Sequence, residues 1–302
     1  MGKQSLEAYL GRIRQAFPDL AFTTSRLIEK GWDHDVVVLD ERVVFRFPKQ
    51  DPYHTRFKAE VALLDYLRPR LPLPVPHYVY RVPDTAFGGY DMLPGTELVP
   101  EIFPRLNADE REHLARQLGG FLSALHATPL PIAKQAGFEQ EDGGYWWSRE
   151  NTERTWRGLK SKIFSKLDRD EVAWIEHQFE RYLSLSMDFE ITVIQSDFTS
   201  DHILVDRDGH TVTGIIDFGD IEFADPALDF AGLWEYGPGF PEMVLAHYTG
   251  PAGKDFLERS KFPRLVHMVG NMLEIEEGLH ANVSYATCRK QLREVMRSGL
   301  TL

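Results

Sequence analysis

The stretch from Ile191 to Asp229, ITVIQSDFTSDHILVDRDGHTVTGIIDFGDIEFADPALD, constrains this chain more than any other part of it. The β-branched run Thr192-Val193-Ile194 ends in the polar Gln195-Ser196-Asp197, which predicts a buried strand that delivers Asp197 into a loop. Ile203-Leu204-Val205 is a second apolar run, Asp208-Gly209 signals a turn, and β-branched residues resume from Thr211 to Ile216. The pattern is a hairpin whose second arm ends at Asp217-Phe218-Gly219. Pairing of its arms would return Asp217 to the loop that carries Asp197 and His202.

Two carboxylates and an imidazole in one concave site suit phosphoryl transfer. That reaction asks the protein for a carboxylate to orient the nucleophile and for ligands to magnesium, with little covalent work besides. Asp197 fits the base, and His202 and Asp217 fit the metal ligands. Protein kinases carry an Asp followed five residues later by an Asn, then Asp-Phe-Gly on the next strand, and Asp197, His202 and Asp217-Phe218-Gly219 stand in that order. The wording SDFTSDHILVD followed by GIIDFGDIEFADPALDF resembles the aminoglycoside phosphotransferases more closely, in particular the 2″-type enzymes, where His takes the Asn position. The resemblance runs from about residue 25 to 280.

This resemblance implies an α+β, two-lobed, protein-kinase-like fold. Residues 1–93 would form a small β-rich N-terminal nucleotide-binding lobe with an antiparallel sheet. Residues 94–302 would form a larger, mostly helical C-terminal lobe with the catalytic loop and the substrate site. It also implies ATP or GTP as co-substrate with Mg2+, and the hydroxyl of a cationic aminoglycoside as acceptor, a resistance-type activity. Another small hydroxylated metabolite or antibiotic is the alternative acceptor, and a non-catalytic nucleotide-binding relative is the alternative outside enzymes. The family usually has His two positions before the catalytic Asp and Gly or Asn just before it, where this chain has Gln195 and Ser196. Gln195 is expected to keep a hydrogen bond that organises the loop. No Ala-Pro-Glu segment follows Asp217-Phe218-Gly219, so nothing points to a peptide-reading activation loop.

Upstream, Gly31 opens a hairpin of Val36 to Leu39 and Val43 to Phe47, where a kinase folds over the phosphates. Alternation puts Val44 and Arg46 on one face and Val43, Phe45 and Phe47 on the other. A buried cation needs a partner, and Glu60 in the helical run Arg56 to Leu64 supplies one, which mirrors the strand-Lys to helix-Glu pair that holds the α- and β-phosphates in kinases. Arginine keeps the charge and can fork onto two oxygens. Met92 and Leu93, before Pro94-Gly95, stand where an inter-lobe hinge meets the base.

The remaining pattern is helical, with residues 3 to 17 as one amphipathic helix and a capped start at Asn107. Residues 131 to 148 read as irregular. His126 is expected to pair with a backbone carbonyl, Asp229 to anchor the loop after the metal site, and Trp146, Trp147, Trp156 and Trp174 to be core. The net charge of −12 over 302 residues disfavours nucleic-acid binding and suits a cationic substrate. Candidate substrate carboxylates are Glu235, which sits where the 2″-type enzymes face the drug's ammonium groups, with Asp220, Glu274 and Glu277. The single Cys288 reads as a buried thiol. There is no signal-peptide pattern and no apolar run of membrane-spanning length, so a cytoplasmic protein is expected, with no membrane and no obligate protein partner.

Overall fold

The computed structural model describes residues 4–29, 33–82, 87–139, 148–279 and 283–302. Gly31, Trp146 and Trp147 fall outside them. Ser5 starts helix α1 (Leu6–Ala16) by accepting a hydrogen bond from the backbone of Ala8. The chain then enters a five-stranded antiparallel sheet of β1 (Ser25–Ile28), β2 (His34–Leu39), β3 (Val43–Pro48), β4 (Tyr78–Arg81) and β5 (Gly88–Asp91), in the order β1-β2-β3-β5-β4.

The central strand β3 explains this half of the molecule. Val43, Phe45 and Phe47 pack with Tyr9, Leu10 and Ile13 of α1, and each of these side chains gains on the order of 2 kcal/mol by leaving water. Val44 and Arg46 point the other way, towards helix α2 (Asp51–Leu67), which brings Glu60 beneath the sheet. The expected alternation is the one observed.

At Asp91 the chain leaves this sheet, and at Thr96 it joins another. A short strand β6 (Thr96–Glu97) pairs with β8 (Ile203–Val205), which pairs with β9 (Val212–Ile215), the expected hairpin. The crossing is close: Gly95 has φ +119°, and a Cβ there would sit 2.5 Å from the Val205 carbonyl oxygen. Only glycine fits that contact and that dihedral. Strand β7 (Thr192–Ile194) pairs instead with β10 (Glu222–Ala224).

The remaining α-helices among the described residues are α3 (Ala108–His126), α4 (Leu130–Ala136), α5 (Arg149–Gly158), α6 (Arg169–Ser184), α7 (Gly239–Ala246), α8 (Phe256–Glu276) and α9 (Tyr285–Ser298). Asn107 caps α3 through the expected reciprocal pair with Glu110. Helix α4 corrects the reading of residues 131 to 148 as wholly irregular. Its signals are Pro131 in the first turn and Gly137 as a left-handed C-cap, the arrangement that starts and stops a short helix.

One apolar core runs from α2 through α3 to the β8–β9 hairpin, so the two halves share a hydrophobic interior. A second core joins α6, α8 and α9 with Leu159 and Ile163, takes in Trp156 and Trp174 at its margin, and includes the buried thiol of Cys288.

Candidate functional site

The loop after β7 is held from behind by a buried carboxylate. Asp229 accepts hydrogen bonds from the backbone N–H groups of Gln195 and Ser196, both at 2.8 Å, and lies 3.0 Å from His126 Nε2. His126 Nδ1 is 2.7 Å from the Tyr248 hydroxyl. Asp229 is therefore an anchor, as expected, but of the loop that leads into Asp197, not of the one that follows Asp217. His126 serves a side-chain network and not a backbone carbonyl. Four residues earlier, Asp225 accepts a hydrogen bond from Ala227 N at 3.0 Å and is paired with the fully buried Arg259 at 2.5 Å.

Gln195 ties the front of the loop together. Its Nε2 donates to the carbonyls of Asp217 at 2.5 Å and Ile216 at 3.3 Å, and its Oε1 accepts from Asp197 N at 3.0 Å. The expected organising bond is present in triplicate. Ser196 takes φ +71°, a left-handed conformation that glycine or asparagine enters more cheaply. Asp217 takes φ +60°, and its main chain is one that Gln195 secures.

Asp197, His202 and Asp217 converge at this point. His202 Nδ1 donates to the Asp197 carbonyl at 2.8 Å and is 3.4 Å from Asp197 Oδ2. That bond makes Nδ1 a donor, so in the neutral ring the lone pair is on Nε2, 3.7 Å from Asp217 Oδ2. A ring nitrogen and a carboxylate oxygen at that spacing suit two positions of a magnesium shell, which usually takes one or two protein ligands and fills the rest with phosphate oxygens and water. Among the described residues, no group of three or more His, Cys, Asp or Glu is placed to hold a metal ion by itself.

Arg46 closes the site from the sheet side. It donates to Glu60 Oε1 at 2.6 Å, to the Tyr78 hydroxyl at 3.3 Å and to Asp217 Oδ1 at 2.7 Å, and Nη2 is 3.2 Å from His34 Nδ1. Burial pushes Glu60 up, to about 7, against the pull of Arg46. Burial also resists the charge on Asp217, but Arg46 and then His202 overcome it and hold this carboxyl below its ordinary value. Burial, aided by Arg46, lowers His34 to about 3, so its ring is neutral and its Nδ1 accepts from Arg46. Asp197 is raised by burial and by Asp217, with His202 opposing, and His202 is raised by the two carboxylates against burial.

A cleft of about 550 Å³ opens beside this cluster, with Arg46 and Asp217 at one end and Met92, Leu93 and Gly95 at the other. Val36, Val44, Tyr90, Leu204 and Ile216 supply apolar walls. The backbone N–H of Met92 donates to the Arg42 carbonyl at 2.7 Å, so this group serves the sheet edge and is not open to a base.

The candidate substrate carboxylates are not gathered in one place. Asp220 lies among Arg56, Asp33, Asp217 and Asp197, on the side of the site that faces the sheet, and burial raises it to about 6. Glu235, on a 3₁₀ turn (Gly232–Tyr236), pairs with Arg264 at 2.7 Å. Glu277 pairs with Lys162 at 2.7 Å, at the far end of α8, whose last turn also carries the half-buried Glu274.

Sequence reading missed His34, Tyr78 and Arg264. His34 was within reach: in β2 it shares the parity of Val36, which lies opposite Arg46, so it belongs to the Arg46 face.

The family model described as "APH: Phosphotransferase enzyme family" matches residues 24–258. The uncharacterized protein YcbJ of Bacillus subtilis (strain 168) is 27% identical over 272 residues, with 83% of each chain covered. Among solved structures, the GDP and kanamycin complex of APH(2″)-IIia superposes with a TM-score of 0.81 at 23% identity, covering 97% of this chain and 99% of that one. The macrolide 2′-phosphotransferase MphH from Brachybacterium faecium superposes with a TM-score of 0.69 at 19% identity, covering 96% and 98%. These likenesses give the fold, which is kinase-like, with a small antiparallel sheet and a larger helical part.

Proposed function

The chain belongs to the phosphotransferase enzyme family, and from that membership we propose that it moves the γ-phosphoryl group of ATP or GTP onto a hydroxyl of a small molecule. The observation that carries this reading is the convergence of Asp197, His202 and Asp217, at 3.4 and 3.7 Å, beside a cleft that Arg46 also lines. Residues 1–93 act as the nucleotide lobe and residues 94–302 as the acceptor lobe.

In this scheme Arg46, steadied by Glu60 and Tyr78, meets the α- and β-phosphates. His202 Nε2 and Asp217 Oδ2 would hold Mg2+. When bound, the ion neutralises charge on the phosphate oxygens. Asp197 accepts a hydrogen bond from the acceptor hydroxyl and orients its oxygen. That oxygen attacks the γ-phosphorus in line, the bond to the β-bridging oxygen breaks, the nucleoside diphosphate departs, and the hydroxyl proton passes to the Asp197 carboxylate. The strained main chain at Ser196 and Asp217 is held by Asp229 and Gln195, so both carboxylates are in position before substrate arrives.

An aminoglycoside is the acceptor implied by the sequence resemblance, and the kanamycin in the complex of a neighbour supports it. Another hydroxylated antibiotic or metabolite is the second reading, supported by the macrolide phosphotransferase neighbour and by the ion pair that occupies Glu235.

The test is nucleoside diphosphate release with Mg2+ and with ATP or GTP, across aminoglycosides and a macrolide, with Asp197→Ala as control. Acceptor-dependent release that vanishes in the variant supports the proposal. Tight nucleotide binding without turnover on any acceptor points to the non-catalytic relative.

A further inference from the structure

Gly232 opens the 3₁₀ turn that carries Glu235, and it packs directly on the Asp197 loop: a Cβ there would collide with the Phe198 carbonyl oxygen and come within 2.9 Å of Thr199 Cα. Glu235 lies three residues further on, about 6 Å along a 3₁₀ axis. The Ser200–His202 segment of that loop also contacts the Gly232–Tyr236 turn, so the turn that carries Glu235 lies against the loop that carries Asp197. The same turn and α8 line an open cavity of about 650 Å³, with α9 along its other wall, a volume fit for a drug-sized ligand.

We propose that this cavity receives the acceptor and that Arg264 makes it a site for a hydroxylated molecule of little net charge with an apolar face, excluding poly-ammonium compounds. The proposal rests on the phosphotransferase reading for where the reacting hydroxyl lies. Its evidence is the state of Glu235. The carboxylate is partnered by Arg264 at 2.7 Å, and the two side chains are 19% and 33% exposed, so the pair is sheltered and the guanidinium is its more open member. An incoming ammonium would meet a neutral pair with a cation on its outer side, and could engage Glu235 only by displacing Arg264 from a partly desolvated contact.

The surroundings agree. Lys261 lies 5.0 Å from the centre of the Trp234 ring and is paired with Glu258 at 2.7 Å, so this neighbour brings no net negative charge towards the cavity. Trp234, Met268, Val295 and Leu300 line it with apolar surface. Of the other carboxylates, Glu277 is held by Lys162 away from the cavity, Glu294 on the cavity wall lies 3.8 Å from Lys290, and Asp220 lies on the Asp217 side of the site with Arg56 as its cationic neighbour. Arg264 has five N–H donors and spends one on Glu235 in the contacts seen here, so it can still bond the hydroxyl, ether or carbonyl oxygens of an uncharged acceptor.

The deciding experiment is calorimetric titration of kanamycin, and of a macrolide carrying one amine, into wild type, Arg264→Met, and Arg264→Met combined with Glu235→Gln. Thermal melts confirm that each variant is folded. Wild type is expected to favour the macrolide over kanamycin at least tenfold. Arg264→Met frees a half-buried carboxylate for a charge-assisted bond and should tighten kanamycin binding about tenfold, a gain that the double variant loses. Kanamycin binding that is as tight in wild type as in Arg264→Met, or a wild-type preference for kanamycin, overturns the proposal. Because the readout is binding, it stands apart from turnover: absence of Asp197-dependent diphosphate release would sink the phosphotransferase reading and leave the charge argument to be judged on the titrations.

Discussion

Replacing Gln195 by Ala removes a buried side chain that makes three hydrogen bonds, to the Asp217 carbonyl at 2.5 Å, the Ile216 carbonyl at 3.3 Å and the Asp197 N–H at 3.0 Å. The carbonyls and the N–H keep their need for partners after truncation. Each unsatisfied buried group costs about 1–3 kcal/mol. Water entering from the cleft would relieve part of that, so a loss of about 2–4 kcal/mol is expected. The kinetic effect should exceed the thermodynamic one. Gln195 joins the Asp197 loop to the main chain of Asp217, and a shift of about 1 Å between such groups costs about a hundredfold in rate. Gln195→His offers one ring donor and one ring acceptor in place of the amide, and should recover most of both losses. Urea unfolding gives the stability and diphosphate release gives kcat. A Gln195→Ala protein within about 0.5 kcal/mol of wild type, with unchanged kcat, would refute the claim that this side chain organises the site.

Three further outcomes follow from buried charges. Arg46→Met leaves Glu60 unpaired in the interior and should weaken nucleotide binding by at least tenfold, seen by fluorescence titration, while Arg46→Lys restores the Glu60 contact but not the fork to Asp217. Arg259→Met strips the partner from fully buried Asp225 and should destabilise the fold by about 3–5 kcal/mol in urea unfolding. Glu171, held by Arg289 and Arg293, is lowered from 4.5 to about 2. A carboxylate depressed on folding contributes stability above its unfolded value and loses it as pH falls from about 4.5 to about 2. Glu171→Gln should therefore lower the melting temperature at pH 7 and flatten its decline in acid; parallel melting curves from pH 7 to 3 would contradict the assignment.

The local parts of this molecule were legible because their causes are local. Alternation in β3 sorts Arg46 from Phe45 by backbone geometry alone. The capping box of α3 spans four residues, and the β8–β9 hairpin follows from two β-branched runs about a turn. Helix α4 carried its own signals in Pro131 and Gly137, and was overlooked because the surrounding residues lack periodicity.

Asp197, His202 and Asp217 were legible for a further reason: the spacing of a hairpin brings its mouth back to its start. In this sense the amino-acid sequence by itself determined that two carboxylates and an imidazole would meet beside a buried, paired arginine, in the order the proposed phosphoryl transfer uses. Tertiary structure decided everything that depends on partners far along the chain. Glu235 is an acid with an expected ligand until α8 brings Arg264 to it from 29 residues away. Asp229 becomes the anchor of the Asp197 loop only because the main chain of Gln195 and Ser196 lies against it, and His126 joins them from 103 residues upstream. Sequence records that a charge exists; only the fold decides what neutralises it, because an ion pair depends on separation in space and on exclusion of water, and neither is a property of residue order.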